Sequence, residues 1–239
     1  MTELVFAVPS KGRLEPQTRD KLAALGLLIE RPGGARGYQG TIAGQPGVSV
    51  RFYPATEIAR ELVRGGIDAG ITGEDTIHEA ARNGADQVVL AAPLGFGHAD
   101  VVVAVPDAWV DVNSVADLSD VASDFRHRHG RWLRVATKYV NLTRRFFASH
   151  GIAEYRIVES LGSTEAAPAS GAADLIVDIT STGATLKANG LRVPEGCLIL
   201  RSEANLAVSR AAKWDAPRRA LLGRLLEKVQ PGLGKKVDI

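Results

Sequence analysis

The residues best suited to chemistry follow one apolar segment late in the chain. Leu175–Ile179 has the composition of a buried strand and carries Asp178 near its carboxyl end. A hydroxyl-rich turn and a short helix-forming stretch come next: Thr180, Ser181, Thr182, Gly183, Ala184 and Thr185. A strand, such a turn and a helix start gather backbone N–H groups around one point, which suits a phosphate. An ordinary strand-to-helix junction, capped by a hydroxyl group, remains the alternative.

Asp178 adds a carboxylate to this phosphate-type turn. A carboxylate there is out of place unless it holds sugar hydroxyls or a metal ion. Asp174 lies roughly 13 Å back along the strand, at about 3.3 Å per residue, so we interpret it as structural. The chain carries no Walker-type or GxGxxG loop here, which argues against a P-loop NTPase or a Rossmann dehydrogenase.

Other turns after predicted strands carry polar residues. Lys11, Gly12 and Arg13 follow the first strand and could bind an anion, although solvated loop charges are the alternative. Further such residues follow two later strands: Gly73, Glu74 and Asp75, then Lys138, Asn141 and Leu142. The spacing of Thr72 and Asp75 resembles a capping box, which would give Asp75 a purely structural role. The basic run 126–131 contains two histidines but is only weak evidence for a metal site, and we predict that it lies at a solvated edge of the protein.

Strands and helices alternate along the chain, and this order predicts an α/β fold with mostly parallel sheets flanked by helices. We expect two lobes with a cleft between them, which the turns at Lys11, Gly73, Lys138, Ser163 and Thr182 could face.

Lobe I is predicted to comprise 1–95 and about 191–239, and lobe II 96–190. The segment after Trp109 is polar, and no helix or strand is predicted there. The composition of 31–47 predicts a loop or a ragged hairpin. The amphipathic helix 216–229 could pack on its own lobe or dock a partner.

Composition is that of an ordinary globular protein. The 239 residues are 45% hydrophobic and 23% charged, with a formal net charge of +2. So small a net charge does not produce the strong positive electrostatic field that attracts nucleic acids. One cysteine, Cys197, rules out an internal disulfide framework. The amino terminus lacks the pattern of a signal peptide, and no stretch reads as a membrane span. A cytoplasmic location is therefore expected.

Five stretches, in family order, resemble ATP phosphoribosyltransferase. They are PSKGRL (9–14), DAGITGEDTI (68–77), LGFGHADVVVAVP (94–106), ATKYVNLTRRFF (136–147) and GAADLIVDITSTGATLKANGL (171–191). The resemblance implies a two-lobed, type II periplasmic-binding-protein-like fold. It implies that ATP and 5-phosphoribosyl-1-pyrophosphate (PRPP) react with Mg²⁺ to give N1-(5-phosphoribosyl)-ATP and pyrophosphate, the first step of histidine biosynthesis.

The resemblance also assigns roles to the residues named above. PRPP binding is expected at Asp178 and 180–185, and ATP binding at the 11–13, 73–75, 138 and 141–142 positions. Asp178, Lys11 and Arg13 are the expected catalytic residues, with Mg²⁺ held mainly by substrate phosphates. Two departures stand out: Val140 replaces a frequent proline, and Pro54 stands where an arginine is expected. Arg51 or an arginine of the 31–36 loop could take the place of this missing arginine.

The length resembles the short form of the family, without a C-terminal regulatory domain. That form works with a separate regulatory subunit that resembles a histidyl-tRNA synthetase without charging tRNA. By resemblance, the pair forms a histidine-inhibited hetero-octamer that contains dimers of the catalytic chain. Two rival interpretations remain: a solute-binding module of the same fold without chemistry, and a phosphoribosyltransferase that acts on a free base.

Overall fold

The computed structural model describes residues 3–34, 37–81, 84–233, 237 and 239. The chain divides into two compact units, which are residues 1–97 with 203–239 (unit 1) and residues 98–202 (unit 2). The sequence prediction gave 191–202 to the first lobe, and this boundary was wrong. Residues 191–202 belong to unit 2 because the two strands within them pair with a unit 2 strand.

The described residues form the following elements. The strands are β1 (Leu4–Pro9), β2 (Ile29–Glu30), β3 (Gln39–Ile42), β4 (Val48–Tyr53), β5 (Ala69–Gly73), β6 (Val88–Pro93), β7 (Ala99–Pro106), β8 (Leu133–Thr137), β9 (Tyr155–Glu159), β10 (Leu175–Thr180), β11 (Leu191–Arg192), β12 (Leu198–Ser202) and β13 (Ala204–Ser209). The helices are α1 (Leu14–Ala24), α2 (Ala55–Arg64), α3 (Glu74–Ala80), α4 (Val115–His129), α5 (Val140–Ser149), α6 (Ala184–Ala188) and α7 (Ala216–Val229). Short 3₁₀ helices occupy Gly84–Gln87 and Thr164–Ala166.

Unit 1 is built on a seven-stranded sheet in the order β2-β3-β4-β1-β5-β13-β6. Alternate side chains of β1 enter different cores, as expected for a strand covered on both faces. Phe6 and Val8 belong to the core that α7 completes, whereas Ala7 packs with Ile58 of α2. The sheet is therefore covered by helices on both faces, and this fixes the turns at its strand ends.

The apolar stripe of α7 is buried in unit 1. Leu221, Leu222, Leu225 and Leu226 all belong to its core. Asp215 begins the helix by accepting a 2.9 Å hydrogen bond from the Arg218 amide. The prediction that α7 packs on its own lobe is therefore confirmed, and this stripe is occupied by unit 1 itself.

Unit 2 contains a sheet in the order β11-β7-β10-β8-β9, with β12 also paired to β7. One core combines this sheet with α4 and α5, and a smaller one includes Leu186 of α6. The three parallel strands are β9, β8 and β10. Their carboxyl ends meet at one edge of the sheet, where the turns that follow them also lie.

Both sheets are mixed, which corrects the prediction of mostly parallel sheets. The parallel pairs are β4-β1-β5 in unit 1 and β9-β8-β10 in unit 2, and the remaining pairs are antiparallel. A connecting helix imposes parallel pairing on the strands it joins. β7 and β13 carry the chain from one unit to the other without such a helix, and both pair antiparallel.

Helix α4 was missed by the sequence analysis, which predicted a polar segment after Trp109. Ser114 and Asp117 form a reciprocal capping box at its amino terminus. Leu118, Ala122 and Phe125 are buried along one face. The basic run 126–131 includes the last turn of α4, where cations favour the helix dipole. Across the described part of the chain, no cluster of three metal-ligating His, Cys, Asp or Glu residues occurs.

No described helix is both long enough and apolar enough to cross a membrane.

Candidate active site

Lys138 and Asp178 meet at the carboxyl edge of the unit 2 sheet. Lys138 directly follows β8, and Asp178 lies near the end of the neighbouring strand β10. Lys138 Nζ is 3.5 Å from Asp178 Oδ1, with the lysine side chain 41% exposed and the aspartate side chain 16% exposed. Sequence reasoning assigned the two residues to different substrates, and the structure brings them together.

The hydroxyl-rich turn after β10 is organised by its own side chains. Thr180 Oγ1 accepts a 2.8 Å hydrogen bond from the Gly183 amide, and Thr182 Oγ1 accepts one of 3.3 Å from the Ala184 amide. Ser181 Oγ donates to the carbonyl oxygen of His98 at 3.1 Å. The two threonine hydroxyls are acceptors here, so each can still donate its proton to a ligand. The proton of Ser181 is directed at a carbonyl instead.

Gly183 sets the backbone path of this turn. Its φ of +74° lies in the left-handed region, which glycine adopts readily. A Cβ placed on Gly183 would meet nothing within 4 Å, so conformation and not crowding selects glycine. Ala184 and Thr185 are exposed at the start of α6. Because α6 has five residues, its dipole is small, so an anion at this turn would have to be held by individual amides and hydroxyls.

Asn141 and Leu142 lie in the first turn of α5 but differ in exposure. Asn141 is half-buried, whereas the Leu142 side chain is buried in the core of unit 2. The Tyr139 amide donates a 2.8 Å hydrogen bond to Thr137 Oγ1, which fixes the turn that carries Lys138. Leu142 therefore supports the turn by packing, and its side chain is not presented to solvent.

Asp174 precedes β10, away from the hydroxyl-rich turn, and has structural partners, as the sequence analysis predicted. Its carboxylate accepts hydrogen bonds from Arg131 at 2.6 and 2.8 Å and from the Arg134 amide at 2.8 Å. Burial alone would raise the pKa of Asp174, but these donors outweigh burial and lower the pKa to about 2. This network joins β8 to the start of β10.

A second group of predicted residues lies at the carboxyl edge of the unit 1 sheet. Lys11 and Gly12 follow β1, while Glu74 and Asp75 begin α3 after the adjacent parallel strand β5. Lys11 and Arg13 are exposed, and Asp75 is buried. The Glu74 carboxylate is 3.4 Å from His78 Nε2, one helical turn along α3.

The predicted capping box between Thr72 and Asp75 was wrong. Gly73 is the N-cap of α3, and no side chain caps the helix. The Thr72 hydroxyl instead donates to the Ala55 carbonyl at 2.8 Å and lies 2.9 Å from the Thr76 hydroxyl. Thr72 lies within β5, one residue too early to cap α3, and its hydroxyl joins the strand to α2.

Sequence reasoning did not identify a cavity of about 450 Å³ beside the carboxyl ends of β1 and β4. Its walls include Ser10, Arg19, Arg31 and Phe52, and the buried hydroxyl of Thr18, which has no hydrogen-bond partner. The Arg31 guanidinium stacks over the Phe52 ring at 4.0 Å and donates a 2.7 Å hydrogen bond to the Gly37 carbonyl.

The cavity distinguishes the positions of the arginines considered as replacements for the one expected at Pro54. Arg51 is adjacent to Phe52 on β4, so its side chain projects from the opposite face of the sheet. It lines a different surface depression with Ser49. Arg31 is therefore the arginine held near the unit 1 motifs, and Arg36 lies outside the described residues.

The family model described as "HisG: ATP phosphoribosyltransferase" matches residues 54–231. The chain belongs to the ATP phosphoribosyltransferase family, whose reaction is the first step of histidine biosynthesis. It is 54% identical to an ATP phosphoribosyltransferase of Afipia carboxidovorans over 228 residues, which cover 95% of this chain and 70% of the relative. It is 53% identical to the Rhodopseudomonas palustris (strain BisB18) enzyme over 240 residues, covering 99% of this chain and 74% of the relative.

Solved structures agree with this family. A chain of the ATP phosphoribosyl transferase (HisG:HisZ) complex from Thermotoga maritima matches with a TM-score of 0.73 at 26% identity, covering 98% of this chain and 100% of that one. The periplasmic aliphatic sulphonate binding protein SsuA from Escherichia coli matches with a TM-score of 0.50 at 16% identity, covering 96% and 72%. The second match concerns the fold alone and confirms the predicted periplasmic-binding-protein-like class. The close relatives are enzymes, so the binding-module interpretation was wrong.

Proposed function

We propose that the turn from Asp178 to Thr185 binds PRPP, with the 5-phosphate on the turn and the ribose hydroxyls on Asp178. The single observation that supports this most is the Lys138–Asp178 pair beside the hydroxyl-rich turn. Acceptor oxygens for the ribose and donors for the phosphate are then adjacent on one sheet edge. Lys138 adds a positive charge beside the proposed phosphate position.

ATP is the second substrate in this proposal, and the motifs of unit 1 bind it. Lys11, Arg13 and Arg31 supply cations for phosphate groups, and Glu74 and Asp75 supply acceptors. The stacking of Arg31 on Phe52 and its bond to Gly37 hold the guanidinium in place before any ligand arrives. A preorganised cation stabilises developing charge without reorganising during the reaction.

The chemistry requires alignment more than proton transfer. The nucleophile, N1 of adenine, carries a lone pair and no proton, so no general base is needed to create it. N1 must approach C1 of the ribose to about 3 to 3.5 Å, in line with the departing pyrophosphate. The C1–O bond to pyrophosphate breaks as the N1–C1 bond forms, through an oxocarbenium-like transition state. Asp178 would stabilise that positive charge while it holds the ribose hydroxyls.

Mg²⁺ is compatible with this arrangement if it is bound mainly by the substrate phosphates. The ion usually keeps several waters and binds through substrate phosphates and one or two carboxylates, so a cage of protein ligands is not needed. Glu74 is the unit 1 carboxylate that could contribute, since its side chain is partly exposed whereas Asp75 is buried. The ion would neutralise charge on the departing pyrophosphate.

A regulatory partner is also part of the proposal. The Thermotoga maritima match is a HisG:HisZ complex, and its matched chain is covered along its whole length by this one. We infer that this chain assembles with a HisZ-like subunit resembling a histidyl-tRNA synthetase, in a histidine-inhibited hetero-octamer. Native mass spectrometry and the assay below, with and without that subunit and histidine, test this.

The decisive experiment is to incubate the protein with ATP, PRPP and Mg²⁺ and to detect the N1-ribosylated adduct. Adenine in place of ATP should give no product, which separates this activity from transfer to a free base.

Asp178→Ala should lower kcat/KM by about 10²-fold or more, on the scale of one preorganised transition-state contact. Asp107→Ala, an exposed aspartate of the same unit, is the control. A fully active Asp178→Ala enzyme would remove Asp178 from the mechanism.

Binding of PRPP can be tested separately from catalysis. Thr182→Val removes one hydroxyl of the turn and keeps the side-chain shape, so PRPP affinity should fall about tenfold or more, as expected for a hydrogen bond to a charged group. Isothermal titration measures this directly. An unchanged affinity would count against the phosphate assignment.

A further inference from the structure

Glu203 joins the two points at which the chain leaves unit 1 and returns to it. Unit 1 ends its first stretch at Gly97 and resumes at Glu203. The Glu203 carboxylate accepts a 2.9 Å hydrogen bond from the Gly95 amide. Backbone hydrogen bonds of 2.9 Å, from Leu94 to Ala204 and from Ala204 to Phe96, flank this contact. The residues 94–97 are thus held against the start of β13.

The same residue contacts the start of α3 through its backbone. The Glu203 carbonyl accepts a 3.1 Å hydrogen bond from the Glu74 amide, and the Asn205 side chain donates to it at 3.3 Å. Glu74 and Asp75 begin α3, and no side chain caps this helix. The Glu203 carbonyl therefore accepts a hydrogen bond from a first-turn amide of α3 that has no acceptor within the helix.

The 94–97 segment also lies against the 11–13 motif. Arg13 Nη2 is 3.5 Å from the Gly97 carbonyl oxygen. Gly97 has a φ of +72°, and a Cβ there would come within 2.5 Å of Leu14 Cδ2, so the segment packs closely on the start of α1. A shift of residues 95–97 would therefore be transmitted to Arg13.

We infer that Glu203 is a positioning residue for ATP, holding the 11–13 and 73–75 motifs in a fixed relation. This rests on the proposed function, in which these motifs bind ATP. Glu203 acts on one motif through its side chain and residues 95–97, and on the other through its carbonyl. Gly95 has a φ of +73° and no atom within 4 Å of a Cβ position, so the Glu203 carboxylate holds it by its backbone amide and not by side-chain packing.

The test compares Glu203→Ala with Glu203→Gln. Alanine removes the acceptor for the Gly95 amide, whereas the glutamine side-chain oxygen can accept the same bond. Glu203→Ala should lower kcat/KM for ATP about tenfold, mainly through KM for ATP, since misplacements of about 1 Å can cost up to about 10²-fold. Glu203→Gln should restore most of this loss. The Kd for PRPP should not change in either variant.

Glu227→Ala is a matched control. Glu227 also accepts a 2.9 Å hydrogen bond from a glycine amide, that of Gly232, at an exposed position in unit 1. Its removal should alter Tm about as much as Glu203→Ala and leave the kinetics unchanged. The inference is overturned if Glu203→Ala has a normal kcat/KM for ATP, if Glu227→Ala lowers it equally, or if glutamine fails to rescue. The proposed function has its own test in the adduct assay, so the two can fail independently.

Discussion

Asp174 and Asp178 are four residues apart, and they have different hydrogen-bond and ion-pair partners. Asp174 accepts from two guanidinium groups and a backbone amide, and its side chain is 10% exposed. Asp178 faces one lysine ammonium at 3.5 Å and accepts a bond from the Ile179 amide. The first carboxylate is saturated by protein donors, whereas the second keeps capacity for a ligand. The same residue type is structural at one position and available for chemistry at the other.

Replacement of Asp174 should affect stability and not PRPP binding. Because its folded-state pKa of about 2 lies below the ordinary value of 3.8, Asp174 stabilises the fold above pH 4, and this contribution is lost as the pH falls from about 4 to about 2. Asp174→Asn should cost about 2 kcal/mol at pH 7, and the difference from the parent should shrink in that acidic range. Urea unfolding at pH 7, 4 and 2.5 measures it. A pH-independent difference would contradict this assignment.

Replacement of Gly183 tests the backbone of the hydroxyl-rich turn. A left-handed conformation costs a residue other than glycine roughly 1 to 2 kcal/mol, and asparagine tolerates it better than alanine. Gly183→Ala should therefore weaken PRPP binding about tenfold, and Gly183→Asn should weaken it less. Titration calorimetry compares them. Equal affinities for alanine and glycine would mean that the φ of +74° is not needed for binding.

Sequence reasoning located most of the candidate site because its motifs are local. The turn at 180–185 could be interpreted from hydroxyls, a glycine and a helix start within six residues. The contact between Lys138 and Asp178 was not predicted, because it depends on the pairing of β8 with β10. Arg31 was an open possibility, since its position depends on stacking over Phe52, 21 residues later in the chain.

Helix α4 shows the limits of the same reasoning for an element. Its buried face is sparse, with Leu118, Ala122 and Phe125 among many charged residues, so the hydrophobic period is weak. The signal that could have found it is the Ser114 and Asp117 capping box, which precedes that face. Strand order and direction were beyond local patterns, because β13 enters the unit 1 sheet from a distant part of the chain.

Removal of the α4 cap should destabilise the protein modestly. Ser114→Ala should lower the free energy of unfolding by about 1 kcal/mol, since the Asp117 amide loses its acceptor. Ser119→Ala, in the interior of the same helix, is the control and should be neutral or slightly stabilising because alanine favours helices. Chemical denaturation compares the two. Equal effects at both serines would show that the cap contributes nothing.

At the scale of the whole molecule, the two units differ in how the chain builds them. Unit 2 is continuous from 98 to 202 and has its own buried cores. Unit 1 needs two separate stretches, because β13 lies between β5 and β6 and the leucines of α7 complete the core around Phe6. A chain cut at Gly97 would therefore lose a central strand as well as a covering helix.

We expect the fragment 98–202 to unfold cooperatively by itself and the fragment 1–97 not to fold. A fusion of 1–97 to 203–239 through a flexible linker should restore cooperative unfolding, because it supplies β13 and α7. Circular dichroism during thermal unfolding distinguishes these cases. A cooperative transition in 1–97 alone would contradict the importance of β13.

The central position of β13 also matters while the protein is being made. As translation proceeds from the amino terminus, β5 and β6 emerge from the ribosome before residues 98–202, and β13 emerges after them. At about 5 to 20 residues per second, that delay lasts roughly 5 to 20 s. During it, two apolar strands have unpaired edges where β13 will insert, and such edges are prone to aggregate. The nascent chain should therefore depend on chaperones most strongly until β13 has emerged and paired with β5 and β6.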